Sequence, residues 1–266
     1  MTLRLYRVLL SRERGFLLGW TVGLLAYFLV IGASYASIKD HAKGVDALWK
    51  DLPQSFKEAF GDVQSVTTPG GYFEARGTAL LPLVLGGALA AQATRRLSGA
   101  EQSGELDLVL SLPVRRTSYF WSHWGVGATL AAAWLAACTV GGVLGMAIAG
   151  VPDGTLPRIA FMVAEALPFL LGVHAVALLA GAGLHRRPPG TAILAAMLAG
   201  FFLVQIVGNL DAPLHWLRAF SPYALLVEGD AFRFRSNPGY LAESVLMLVA
   251  GVAFAARAWR RKDLLA

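Results

Sequence analysis

The sequence predicts an all-α membrane protein with six transmembrane helices. Composition gives the first sign: 56% of the 266 residues are hydrophobic and 15% are charged, where a soluble domain carries about a quarter charged residues. Distribution gives the second. The apolar residues fall in nearly charge-free runs of roughly 18–28, the length that crosses about 30 Å of hydrocarbon. With no water to satisfy the backbone inside a bilayer, such runs fold as helices.

Six spans follow: Phe16–Ser37, Gly77–Thr94, Trp121–Ile148, Ile159–Leu184, Thr191–Val207 and Tyr240–Ala258. An even number puts both termini on one side, and the positive-inside rule selects the cytoplasm. That side then holds 14 of the 23 Lys and Arg, with Arg257 at the inner end of the sixth span, and five of the 17 acidic residues; eleven acids lie outside, with Glu243 at the outer end of that span, and Glu165 lies within the fourth. The net charge of +6 therefore reflects orientation and gives no indication of nucleic-acid binding. Arginines before the first span and Ser34-Tyr35-Ala36 after it imitate a cleaved leader. The run is longer than the apolar core of about 7–15 residues in such leaders, so it is read as a span. Cys138 is the one cysteine. It has no disulfide partner and is expected to pack as a small hydrophobe.

Residues 1–15 alternate Leu3, Leu5, Tyr6, Leu9 and Leu10 with arginines, the pattern of an amphipathic helix at an anionic lipid surface. Gly15, Gly19 and Gly23 form a small-residue ridge suited to close helix packing, against another span or a second subunit. In the outer segment 38–76, Val45, Leu48, Trp49, Leu52, Phe56 and Phe60 recur at helical spacing, broken by Pro53. Pro82 and Pro168 fall inside spans and are expected to kink them. Pro188 and Pro189 suit the start of the fifth span. The outer segment 208–239 carries Leu214, Trp216, Leu217, Phe220 and Tyr223, an interfacial or re-entrant piece. Glu165 and His174 are ionisable groups in the fourth span, where such groups mark pathways or paired sites. Nine residues apart, they fall on opposite helix faces.

The most informative stretch is residues 98–113, between the second and third spans. Ser98 with Glu101 reads as a capping box, and Glu101 and Glu105 suit the positive end of a helix dipole. Leu106, Val109 and Leu110 form an apolar stripe, widened by Leu108 and Leu112. Pro113 disfavours helix at Leu112 and ends it. Arg115 and Arg116 then meet the headgroups. The result is a short capped cytoplasmic helix with a face to dock, on a partner or on the bilayer.

This stretch resembles the E-x-x-x-G-x-L-x-x-L-L-x-x-P-V-x-R signature of ABC-2-type ABC transporter permeases. Glu101, Gly104, Leu106, Leu110, Pro113, Val114 and Arg116 match it, with Glu105 where that family often has Thr. Thr68-Pro69-Gly70-Gly71-Tyr72, Ser221-Pro222 and Arg260-Arg261-Lys262-Asp263-Leu264 follow in the family's order. The resemblance covers nearly the whole chain. It implies one ABC-2 (type V exporter-like) transmembrane domain over residues 1–266, in the cell (inner or plasma) membrane, with a coupling helix at 98–113 that docks on a separate ATP-binding subunit. Two such subunits and a second permease chain, identical or sister, are implied partners, beside membrane lipid. ATP and Mg sit on the ATPase, and transport runs by alternating access, outward.

The chain has no G-x-x-x-x-G-K-[ST] phosphate loop and none of H-E-x-x-H or G-x-S-x-G. It is therefore expected to be a non-catalytic subunit, with no cofactor and no metal of its own. Two other functions stay open: an ABC complex that signals or matures a partner, and a secondary transporter or channel. The latter commonly shows repeats and broken helices at midplane. Substrate-pathway residues are not fixed, with Glu165 and His174 as candidates.

Overall fold

The computed structural model describes residues 3–41, 67–104, 106, 115–152, 154–183, 187–210 and 212–261. The expected outer helices around residues 45–60 lie outside them. Every named element is helical: α1 Leu3–Arg12, α2 Arg14–Asp40, α3 Pro69–Phe73, α4 Leu81–Gln102, α5 Arg116–Ile148, α6 Thr155–Ala164, α7 Leu167–Gly183, α8 Arg187–Leu210, α9 Pro222–Glu228 and α10 Pro238–Arg261. A π-helical turn, Glu74–Thr78, joins α3 to α4, and 3-10 turns cover Ala212–Phe220 and Ala231–Arg233.

Six of these stretches are long and apolar enough to span a membrane: Arg14–Asp40, Pro69–Gln102, Arg116–Ile148, Thr155–Gly183, Gly190–Leu210 and Pro238–Arg261. Each overlaps one of the expected spans. Most run past the apolar core at both ends, because a helix continues into the headgroup layer where charged side chains are tolerated. Arg95 and Arg96 in α4 are examples.

α7 forms the centre of the bundle. It packs against α10, α4, α5 and α8 and is buried on nearly all sides, from Phe169 to Ala182. α2 packs along α5 on the other flank. Between them Phe16, Trp20 and Trp134 form an aromatic knot with ring centroids 5.3–6.2 Å apart. α3 docks on α2 through Phe73 on Phe28 and Tyr72 on Tyr35, and the Tyr72 hydroxyl donates to the Ile31 carbonyl at 3.1 Å. Cys138 is fully buried.

Two of the spans are broken where prolines fall. Pro82 and Pro168 do not kink continuous helices: each lies in the first turn of a new one, after breaks at Ala79-Leu80 and Glu165-Ala166. A proline there gives up an N–H that has no intrahelical partner anyway. The breaks leave carbonyls to satisfy inside a bilayer. Tyrosines from the far end of the chain do so. Tyr223 donates to the Ala79 carbonyl at 2.7 Å, and Tyr240 donates to the Glu165 carbonyl.

The tightest helix packing within the chain uses other glycines. A Cβ at Gly15, Gly19 or Gly23 would meet nothing within 4 Å, so that ridge packs on no other span of this chain. The tight seam is between α2 and α5. There a Cβ at Gly141 would lie 2.4 Å from the Leu25 carbonyl oxygen, at Gly145 2.4 Å from the Leu29 oxygen, and at Gly32 2.7 Å from the Met146 nitrogen. Backbone cannot step aside as a side chain can, so only glycine fits. Gly145→Ala is therefore expected to destabilise the chain by about 1–3 kcal/mol through overpacking, whereas Gly19→Ala leaves it unchanged. Thermal unfolding of the purified chain in detergent checks this; equal midpoints for the two variants contradict the seam.

Candidate functional site

The signature lies at the end of the bundle that carries both described termini and the arginine clusters. α4 emerges from the second span without interruption and runs to Gln102. Ser98 is consequently not a helix cap. It is fully buried inside the helix, and its hydroxyl donates to the Thr94 carbonyl at 2.9 Å. Extending an existing helix avoids the cost of nucleating a new one, so the local capping pattern loses. Glu101 accordingly sits at the negative end of α4 rather than at the positive end of a separate helix.

The stop comes at Ser103-Gly104. Ser103 N–H donates to the Gly99 carbonyl and Gly104 N–H to the Glu101 carbonyl, both at 3.1 Å. Gly104 has φ +71°, the left-handed conformation that closes helix C-termini and that glycine adopts without penalty. Leu106 is 1% exposed and belongs to the core. The chain is described again from Arg115, and Arg116 begins α5. Glu105, Leu110, Pro113 and Val114 lie outside the described residues. The structure thus brings Glu101, Gly104 and Leu106 to one end of the signature and Arg116 to the other.

Both ends are pinned. Before the signature, Arg95 and Arg96 bind Glu13, which is 2% exposed in the turn between α1 and α2. Its carboxylate accepts from Arg95 Nη2 at 3.2 Å, from Gln92 Nε2 at 3.4 Å and from Arg96 Nε. The Arg95 guanidinium also lies 5.3 Å over the Phe16 ring. After the signature, Trp259 Nε1 donates to the Arg116 carbonyl at 2.9 Å, and its ring stacks on Tyr119 at 5.6 Å. Tyr6 of α1 shares a 2.7 Å hydrogen bond with Thr129 of α5. The first and last helices are therefore tied to the two helices that carry the signature. Sequence reasoning missed Glu13; its signal was a lone acid between Arg12 and Arg14 immediately before an apolar span.

The two pathway candidates part company. Glu165 lines a cavity of ~60 Å³ between the two helix breaks, with Glu74 and Asp230 on its wall. Glu165 is 6% exposed, and neither carboxylate oxygen has a hydrogen-bond partner at bonding distance among the described residues; Ser236 is its polar neighbour. His174 does not line this cavity. It is fully buried against α5, where its ring fills the space beside Gly127.

Six spans, two of them broken around a shared acidic cavity, define a polytopic helical membrane protein. Comparison with family models places it further. The chain belongs to the family described as "Multidrug efflux system permease Rv1217c, C-terminal domain", matched over residues 8–260. It is thus a multi-pass transporter permease subunit. No curated protein matches the chain.

Two outcomes follow from this geometry. Glu13→Gln removes the buried charge that two partly exposed arginines share, and losing hydrogen bonds to a charged group costs about 1.5–3 kcal/mol; the unfolding midpoint of the purified chain is expected to fall. Gly104→Val forces a β-branched residue into the left-handed region at about 1–2 kcal/mol, whereas Gly104→Asn is tolerated. Hydrogen exchange over residues 97–106 reads the difference, and equal protection in both variants contradicts the assigned turn.

Proposed function

We propose that this permease is the transmembrane subunit of an ABC-type exporter of the ABC-2 class, driven by a separate ATP-binding subunit that docks on residues 98–113. The observation behind this is the fastening of the helices that flank the signature: α4 runs unbroken past Glu101 to Gln102 and closes at Gly104, Glu13 holds α4 and Trp259 holds the start of α5. A push delivered to those fastened helix ends moves the spans as bodies. Membership in an efflux-permease family supports the outward direction, and that family's description supports drug-like small molecules as cargo.

On this reading both termini and the signature face the cytoplasm, in agreement with the concentration of arginines at that end. ATP and Mg are held by two ATPase subunits, and the chain itself performs no nucleotide chemistry. A second permease chain completes the pathway. The open ridge of Gly15, Gly19 and Gly23, beside Phe16 and Trp20, is a surface on α2 free for it. Cargo leaves past the acidic cavity, where Glu165, Glu74 and Asp230 favour positively charged compounds.

Coupling of this kind needs an element whose two states the nucleotide biases. The test is reconstitution with the ATPase subunit. Glu101→Trp and Gly104→Trp are expected to preserve membrane insertion and ATP hydrolysis while lowering transport per ATP at least tenfold. Unchanged transport in both variants contradicts the coupling role. Transport that persists without ATP favours a secondary transporter instead.

A further inference from the structure

A groove of ~650 Å³ runs between α5 and α10 and shares no lining residue with the acidic cavity. Its walls are almost wholly apolar: Trp121 and Trp124 on one side, Leu248, Val252 and Ala256 on the other. One end is closed by three arginines, Arg257, Arg260 and Arg261. All three are exposed, and none forms an ion pair with an acid among the described residues.

We propose that this groove holds one anionic phospholipid, its phosphate at the three arginines and an acyl chain along α10. Length supports a lipid. Leu248 to Arg257 is nine residues, roughly 14 Å of helix, which is close to one leaflet's share of about 30 Å of hydrocarbon. Charge supports an anionic headgroup, because basic pockets between spans attract such lipids. The paired tryptophans support depth, since they are enriched where acyl chains meet headgroups. Arg116, the last signature residue, starts α5, and Trp259 ties it to α10. A lipid wedged between α5 and α10 therefore sits against the junction that fixes the far end of the signature. The proposal stands whether or not the chain is ATP-driven.

The probes are phosphatidylglycerol and phosphatidylcholine with brominated acyl chains, added to the full-length chain in nanodiscs. Bromine quenches nearby tryptophan. Brominated phosphatidylglycerol is expected to quench the wild-type chain at a lower mole fraction than brominated phosphatidylcholine, and the difference is expected to vanish in the Trp121→Phe/Trp124→Phe double variant. Arg257→Gln/Arg260→Gln/Arg261→Gln is expected to weaken retention of phosphatidylglycerol in native mass spectrometry about 10- to 100-fold, from the loss of three surface charges. The corresponding three Lys substitutions restore it. Val252→Trp fills the groove, keeps the arginines and is also expected to lose the lipid.

Equal quenching by the two lipids in the wild-type chain overturns the proposal without any variant having to fold. Retention that survives the Gln substitutions overturns it as well. So does displacement by millimolar inorganic phosphate, which marks an anion site without a lipid. Crosslinking of a cysteine at Val252 to its copy in another chain, in membranes, marks a protein-covered face and overturns it too.

Discussion

Glu13 holds two arginines of α4 from a turn that almost no solvent reaches. A carboxylate buried in that position needs its cations, while the guanidinium groups of Arg95 and Arg96 still reach solvent. The constraint fixes α1, α2 and α4 relative to one another at the end where the signature begins. Trp259 and Tyr119 do the same for α10 and α5 where the signature ends. Around these two fastenings the rest of the bundle falls into place: α7 in the middle, α2 pressed on α5 through glycine backbone, and α10 laid along α7.

The opposite end is built on a different economy. Two spans are broken there, and each break exposes a carbonyl that lipid cannot satisfy. Tyr223 and Tyr240 supply the missing donors from segments far along the chain. The breaks let carboxylates approach a shared cavity that continuous helices would have filled. Stiffness at one end and interrupted helices at the other suit a device that receives force in one place and admits cargo in another, which is the division of labour proposed for this permease.

Much of this was legible in the sequence. Six charge-poor runs gave six spans, because crossing hydrocarbon imposes a length and a composition that few other constraints imitate. The broken helices were not legible as such. Pro82 and Pro168 pointed to the right places but to kinks, since a proline in a pattern does not reveal whether the helix before it has already ended. The glycine ridge of α2 shows a similar limit. A G-x-x-x-G spacing states that backbone can come close, not what will come; Gly141 and Gly145 carry the same spacing and are the pair in use. Ser98 and Glu101 obey a capping rule that holds for a helix starting anew, and α4 was already under way. Glu13 stood out only as a lone acid between arginines; its partners lie about 80 residues on, and that pairing is tertiary.

In the proposed coupling, the fastened helix ends on either side of the signature receive motion from a nucleotide-driven partner. Hydrogen–deuterium exchange over residues 101–116 tests it most directly, on the reconstituted permease with the ATP-binding subunit absent, present without nucleotide, and present with ATP. Protection is expected when the subunit is added, with a further change on ATP that spreads into Arg95, Arg96 and the Glu13 turn. Exchange that is the same under all three conditions contradicts it.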